Sequence, residues 1–437
     1  MTRSLDESLA KIISEEEFGK LLQRQSQGLL RIWNFMRAEG ADPTLKRFYS
    51  CLMEEARELK NFLDDFDARS NRTYAYVTEL VLSLVSFSAI GYLVRHVLTR
   101  YPRYRLRDDR DQFIEYHKRA EALLDYSHST LWTLFEAVQR EAVDVLGLRP
   151  PKDRIDEASF TNPLPRMHLP HTVDDGLPET KGGSAAVVAT SFLHFADEFD
   201  GLALPKESEP GAAREFLRRT CGEDSVRRWE ARMHGVQRVY DTLVKGTSVE
   251  AEEPRMASLR GHVSMVLHHL ELIRYATHFL DHLEEGIRHE PAAERLRGLV
   301  DGDELLGHLF GFGFEMALLY VSQGKEVASE ILEKYTKVIE CRLTVPEGLS
   351  LHARPASLIV GVVTEHGTPV SLHIGSASCD AGSMIQVMMT LGTHSTEREI
   401  RFRGDQRPLR DLELLFESRL GEDGLEKLPE PLAYLRS

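Results

Sequence analysis

A short segment of the chain combines a nucleophile, a cation and a helix start. Residues 351–356 read Leu-His-Ala-Arg-Pro-Ala, which places His352, Arg354 and Pro355 within one helical turn. Proline is favoured in the first turn of a helix, so a helix is expected to begin here. Helix N-termini attract anions, an arginine fork suits phosphate, and neutral imidazole is a competent nucleophile. The segment therefore predicts that His352 accepts a phosphoryl group.

The elements that must position this segment alternate between strands and helices. We predict strands at 338–345, 370–374, 376–379 and 397–403, and helices at 353–366, 383–391 and 408–420. This β-α-β-β-α-β-α order, with few strands, predicts a small α+β open-faced sandwich. His352 then lies at the junction of the first strand and the first helix.

These residues resemble the HPr family, the histidine phosphocarriers of the bacterial phosphoenolpyruvate-dependent phosphotransferase system. The family pattern of an aliphatic residue followed by His-x-Arg-Pro-Ala is matched at 351–356. A second similarity is a serine, Ser383, followed by the apolar run 384–389, in the place of the family's regulatory serine and docking helix. The resemblance covers about residues 337–420, and the predicted order of elements is also that of the family.

The resemblance implies a phosphoryl-transfer role for the segment at 351–356. His352 would accept phosphate on Nδ1 from phosphorylated enzyme I and pass it to a downstream acceptor or target protein. Arg354, together with the backbone at Ala353, would bind the phosphate. No cofactor is implied apart from the covalent phosphate on His352.

The resemblance also implies a docking surface and a regulatory position. Met384, Ile385 and Met388 would form the apolar rim that binds partner proteins, and Ser383 would be the substrate of a serine kinase. The sequence departs from the family at two positions. Ser350 stands where a glycine is usual, and Gly382 precedes Ser383 where a basic residue is common, so the kinase remains an open expectation.

The first 337 residues carry helical periodicity and belong to no family that we recognise. We predict a helical bundle at 1–146, a Pro/Gly-rich linker or long loop at 147–183, and a helical domain at 184–337 that packs with the first bundle or stands alone. The HPr-like domain follows at 338–420, and 421–437 is a tail. The predicted fold class is therefore multidomain, an all-α region followed by an α+β sandwich.

One predicted helix of this region has a polar stripe that could bind a metal. The stripe contains Ser264, His268, Glu271, Tyr275, His278 and His282. The last two histidines are spaced i and i+4, which suits one metal ion, and His194 could add a ligand from another helix. The alternative is a solvated polar face without a ligand.

A second feature is the basic segment, residues 95–110, in which six arginines are interleaved with Tyr101 and Tyr104. Such a pattern can bind nucleic acid or an acidic protein surface. Arginines at a helix C-terminus followed by a loop are the alternative. The formal net charge of -15 argues against a generally cationic nucleic-acid binder.

Composition limits the class of protein. A chain of 437 residues with 42% hydrophobic and 28% charged residues is expected to form several globular domains. Four widely spaced cysteines argue against a disulfide framework or a zinc ribbon. The start of the chain lacks an apolar signal segment, and the apolar stretch 80–94 is short for a bilayer. We therefore expect a cytoplasmic protein without membrane insertion.

These observations favour a phosphocarrier or phospho-signalling protein whose helical region senses or transmits the state of His352. It is expected to be a phosphotransfer protein rather than a turnover enzyme. One alternative is a non-catalytic regulator in which the HPr-like domain is a docking module. A weaker alternative is a helical metal-dependent enzyme that the domain regulates.

Overall fold

The structure is a computed structural model that describes residues 12–39, 46–153, 155, 181–199, 201–205, 210–349, 352–394 and 397–436. Most of the predicted linker 147–183 lies outside the described residues. So do Ser350 and Leu351.

The region before residue 337 is helical, as the sequence predicts. Its described α-helices are α1 Glu15–Gln25, α2 Gln27–Glu39, α3 Lys46–Asp65, α4 Ala75–Arg100, α5 Arg110–Arg140, α6 Lys181–Phe199, α7 Pro210–Arg219, α8 Glu223–Leu243, α9 Ser248–Glu252, α10 Pro254–Asp281, α11 Glu290–Arg297, α12 Gly302–His308 and α13 Glu315–Tyr335. Three π-helical turns follow α5, α10 and α12, at Glu141–Val145, His282–Gly286 and Leu309–Phe314.

Helix α4 lies at the centre of this region. It packs against α3, α5 and α10, and its side chains are buried almost all round. A helix that is apolar on every side is stable only when neighbouring helices cover it. Ser83 and Ser86 satisfy their hydroxyl groups inside the helix, by donating to the carbonyl oxygens of Glu79 and Leu82.

Two helical segments are long and apolar enough to span a membrane by length and composition. They are Ala75–Arg103 and Gly302–Tyr335, whose most apolar windows are 94% and 61% buried within the protein. The first is longer than the stretch 80–94 considered in the sequence. Packing inside the helical region accounts for its apolar character without a bilayer.

The helical region has one continuous hydrophobic core. The core extends from Phe18 in α1 to Ile331 in α13 and includes side chains from both predicted helical segments. Helix α6, which follows the predicted linker, packs against α8 and α13. The helices on either side of the linker therefore share buried surface.

The C-terminal domain has the predicted order β-α-β-β-α-β-α. Its elements are β1 Val338–Thr344, α14 Ala353–His366, β2 Val370–Ile374, β3 Ala377–Asp380, α15 Met384–Thr393, β4 Glu399–Asp405 and α16 Gln406–Glu417. The strands form an antiparallel sheet in the order β1-β4-β2-β3. The side chains of β2 and β4 alternate between buried and accessible positions, as strands with one covered face do.

This domain has its own hydrophobic core, which extends further along the chain than the sequence predicts. Ile359, Leu372 and Phe402 are fully buried in it. Leu428 and Leu432 also belong to this core, and they lie among 3₁₀ turns that follow α16. The segment 421–437 is therefore not a separate tail as predicted, because its described residues pack onto the domain.

The two parts of the chain meet at the end of the domain where β1 begins. The Lys337 N–H donates to Asp405 Oδ1 at 3.1 Å, and the Gln406 N–H donates to the Lys337 carbonyl at 2.9 Å. Gly367 ends α14 with φ 58°, and a Cβ built on it would lie 3.0 Å from Val187 of α6. The C-terminal end of α14 thus faces the helical region.

Candidate functional site

His352 is the N-cap residue of α14. Its backbone is extended (φ -113°, ψ -168°), and its Nδ1 accepts a hydrogen bond from the Arg354 N–H at 3.4 Å. Pro355 lies in the first turn, where its missing N–H costs no helical hydrogen bond. The imidazole is 53% exposed. The ring therefore lies at a helix start and is accessible to a macromolecular partner.

The other ring nitrogen of His352 faces a carboxylate that the sequence patterns did not indicate. Glu422 Oε1 lies 3.6 Å from His352 Nε2, and the Glu422 side chain is 23% exposed. Within the described residues this buried oxygen has no hydrogen-bond partner. A carboxylate beside one imidazole nitrogen favours the proton on that nitrogen, which leaves the lone pair on the other. Glu422 therefore favours the ring form with an unprotonated Nδ1.

A left-handed turn after α16 brings this carboxylate to the site. Arg419, Leu420 and Gly421 have φ values of 52°, 55° and 68°. Positive φ is unfavourable for residues other than glycine, but the Leu420 side chain is fully buried in the domain core, which offsets part of the cost. The turn directs the Gly421 carbonyl and the Glu422 side chain towards the start of α14.

Arg354 is held by the same turn. Its Nη2 donates to the Gly421 carbonyl oxygen at 3.2 Å. A guanidinium group has five N–H donors, so this bond leaves others for an anion beside His352. Ala353 and Arg354 are both exposed, and the backbone between them forms the first turn of α14.

Helix α15 presents an apolar surface beside α14. Ser383 is its N-cap residue and makes no capping hydrogen bond with its side chain. Met384 is half-buried and packs against the domain core, whereas Ile385 is 74% exposed and Met388 37%. Met389, which the sequence analysis did not single out, is 67% exposed. We call the exposed set Ile385, Met388 and Met389 the α15 apolar patch.

Comparison with known families agrees with this geometry. Residues 339–417 match the family model PTS-HPr, described as the PTS HPr component phosphorylation site. The C-terminal domain is HPr-like. The match includes His352, Arg354 and all of α15, ends before Glu422, and leaves the helical region unmatched. The family is of the phosphotransferase-system phosphocarrier type, whose general partners are components such as enzyme I. No curated protein and no solved structure matches the chain.

The structure separates the histidines that the sequence proposed as metal ligands. The buried His282 Nε2 pairs with Glu79 of α4, and His278 Nδ1 lies 2.9 Å from Glu223 Oε2 of α8. His194 is exposed on α6. The i, i+4 spacing of His278 and His282 therefore does not produce a shared site, because each histidine has a carboxylate partner from a different helix.

The remaining candidate metal ligands of the stripe, His268 and Glu271, contact each other, and Glu271 also lies close to residues of α8. His268 Nδ1 lies 2.9 Å from Glu271 Oε2. Glu271 in turn forms a cluster with Glu230 and His234 of α8, the single group of three metal-ligand side chains found among the described residues. Sequence spacing on one helix could not indicate this cluster, because it joins two helices.

Part of the basic segment packs onto the helical region. Arg107 makes two hydrogen bonds of 2.6 Å to the carboxylate of Glu330 in α13. The Tyr101 side chain is 4% exposed, and its hydroxyl contacts Tyr320 Oη at 2.9 Å. Because it is buried, the Tyr101 ring is not available to stack on a nucleic-acid base.

Proposed function

We propose that the protein is a phosphocarrier or phospho-signalling protein of a phosphoenolpyruvate-dependent phosphotransferase system. In this proposal His352 accepts a phosphoryl group from phosphorylated enzyme I and passes it to an acceptor or reports it through the helical region. The observation that supports the proposal most directly is an exposed N-cap imidazole, with Arg354 beside it, in a domain that matches the HPr family.

The transfer step uses the lone pair of His352 Nδ1. Nδ1 attacks the phosphorus atom of the donor phosphohistidine, the P–N bond of the donor breaks, and its electron pair returns to the donor nitrogen. The proton of His352 stays on Nε2 beside Glu422, so the step requires no separate base. The Arg354 N–H, which points at Nδ1 before transfer, becomes a donor to a phosphoryl oxygen.

Charge stabilises the product of this step. A phosphoryl group adds roughly -1.5 to -2 of charge at neutral pH. The first N–H groups of α14 and the Arg354 guanidinium supply charge-assisted hydrogen bonds to it. Both lie on the exposed side of the domain, where the donor protein approaches.

The α15 apolar patch is the proposed contact surface for enzyme I and for downstream proteins. Isolated apolar side chains are common on protein surfaces, but three large ones on a single short helix are typical of an interaction site. The patch and His352 belong to neighbouring elements, because α15 packs against α14. A partner that covers the patch therefore also covers the start of α14.

Phosphate incorporation tests the proposal. The full chain is incubated with enzyme I and radiolabelled phosphoenolpyruvate, with His352→Ala as the test variant and His373→Ala on β2 as the matched control. We expect an acid-labile, base-stable label on wild type and His373→Ala, and none on His352→Ala. Equal labelling of all three proteins would show that His352 is not the acceptor.

The exposed patch also supports a second candidate, a docking module without phosphotransfer. This candidate predicts that wild type binds its partner without becoming labelled, and that Ile385→Asp abolishes binding while His352→Ala does not. The same panel of variants therefore separates the two functions.

A further inference from the structure

Helices α8 and α10 carry a cluster of three side chains of the kinds that bind metal ions. Glu230 and His234 lie one turn apart on α8, and Glu271 lies on the adjoining face of α10. Their ligand atoms all lie within 4.8 Å of one another. Glu230 Oε1 and His234 Nε2 are 4.0 Å apart.

Each carboxylate of the cluster is oriented by a basic side chain that contacts its Oε2 atom. Arg274 Nε donates to Glu230 Oε2 at 2.6 Å, and His268 Nδ1 lies 2.9 Å from Glu271 Oε2. Hydrogen bonds of this type fix the ligands of protein metal sites and tune their affinity. They also leave Oε1 of each carboxylate for a shared ligand.

The charge and burial of the cluster suit a cation. The cluster combines two carboxylate groups with one imidazole. The Glu271 side chain is 23% exposed and Glu230 17%, whereas His234 is 53% exposed. The carboxylates are thus partly shielded from water, and an ion reaches them past His234.

We propose that Glu230, His234 and Glu271 form a binding site for a divalent transition-metal ion of the Zn²⁺ type. Zinc binds imidazole nitrogen and carboxylate oxygen at about 2.0–2.2 Å in a tetrahedral arrangement, so two ligand atoms on one ion lie about 3.4 Å apart. The Glu230–His234 separation of 4.0 Å exceeds this spacing by about 0.6 Å. The ligand atoms of the cluster all lie within 4.8 Å of one another, so closure around one ion requires shifts of at most about 1.4 Å, which side-chain rotation supplies.

Such a site has two consequences for the helical region. It would link α8 to α10 by three bonds to one ion. Three protein ligands also leave a coordination position for water or a small anion, as in zinc sites that keep an open position. The site would be independent of phosphorylation of His352, since none of its residues belongs to the HPr-like domain.

Zinc titration of the chelator-treated full chain tests the site. Isothermal titration calorimetry with Zn²⁺ is expected to show one tight equivalent for wild type that His234→Ala and Glu271→Gln both lose. His268→Ala should weaken it by about 10- to 100-fold, because His268 orients Glu271. His194→Ala, an exposed histidine on α6, is the matched control and should retain the equivalent.

A spectroscopic measurement distinguishes loss of the metal site from misfolding of a variant. Co²⁺ added in place of Zn²⁺ should give visible absorption bands in wild type and His194→Ala but not in His234→Ala, whose removed side chain is exposed. Absence of a tight Zn²⁺ equivalent in wild type would overturn the proposal. So would an equivalent that persists in His234→Ala and Glu271→Gln.

Discussion

The histidines of the two regions differ in what surrounds them. His352 starts a helix and is 53% exposed. His262 and His269 lie inside α10 and are almost completely buried, so burial lowers their pKa values to about 4 and about 3. The same side chain is therefore exposed at a helix start in one region, where we propose that it acts as a nucleophile, and is a neutral core group in the other. The backbone position, more than the residue type, decides which chemistry is available.

Substitutions in the two hydrophobic cores should have the largest effects on stability. Phe192 belongs to the helical core and Phe402 to the domain core, and both are fully buried. Replacing either by alanine should cost about 3–5 kcal/mol of stability. Because the cores are separate, each variant should lose hydrogen-exchange protection in its own region and retain it in the other. Joint loss in both variants would show that the regions unfold as one unit.

Low pH should destabilise the helical region because its buried histidines become protonated more readily in the unfolded chain. The folded-state pKa of His269, about 3, lies below the unfolded value near 6.5, so the unfolded chain binds protons first as the pH falls. The neutral His269 therefore contributes fully to the stability of the folded state above about pH 6.5. This contribution is lost as the pH falls from about 6.5 towards the folded-state pKa. At pH 4.5 the loss is about 2–3 kcal/mol.

Denaturant unfolding at pH 7 and pH 4.5, monitored in the helical region, checks this expectation. His269→Leu should reduce the difference in stability between the two pH values, because leucine does not titrate. His262→Leu should do the same to a smaller extent, since its folded-state pKa is about 4. A difference that neither substitution changes would contradict the assignment.

Arg354 should affect transfer without affecting the fold. Its guanidinium group is exposed and is held near His352 by Gly421. A hydrogen bond to a charged group contributes about 1.5–3 kcal/mol, so Arg354→Ala should slow phosphoryl transfer by about 10- to 100-fold. Initial rates of labelling measure the effect. Arg401→Ala on β4 is the control, and equal rates for both variants would remove Arg354 from the proposed mechanism.

Glu422 should have the smallest of these effects. Its carboxylate lies 3.6 Å from His352 Nε2 across a partly exposed gap, so Glu422→Gln should slow labelling by less than about tenfold. The ¹⁵N shifts of His352 should move away from a pure Nε2–H form in this variant. Glu426→Gln, on an exposed turn nearby, should change neither quantity. Unchanged ¹⁵N shifts in Glu422→Gln would exclude the positioning role.

The sequence predicted the HPr-like domain well because its signals are local. Pro355 and the apolar periodicity define α14, and the predicted range 353–366 agrees with Ala353–His366. The apolar periodicity over residues 15–39 predicts one helix, but the structure has two helices that meet at Ser26, whose N–H donates to the Leu22 carbonyl at the end of α1. Local patterns identify helices more reliably than breaks within them.

The parts that the sequence missed depend on contacts between distant residues. Glu422 reaches His352 only because Arg419, Leu420 and Gly421 adopt a left-handed turn, which a buried leucine does not signal. The cluster around Glu271 likewise requires the packing of α8 against α10. Spacing along one helix indicates which side chains share a face, but not which neighbouring helix covers that face.

The orientation of α14 has a consequence for molecular encounters. His352 caps one end of this helix of 14 residues, and Gly367 at the other end adjoins Val187 of the helical region. At 1.5 Å per residue, the two ends are about 20 Å apart. The contact at Gly367 therefore does not cover the histidine end, where the His352 side chain is 53% exposed. We expect the fused helices to leave the association rate with a phosphate donor close to that of an isolated domain.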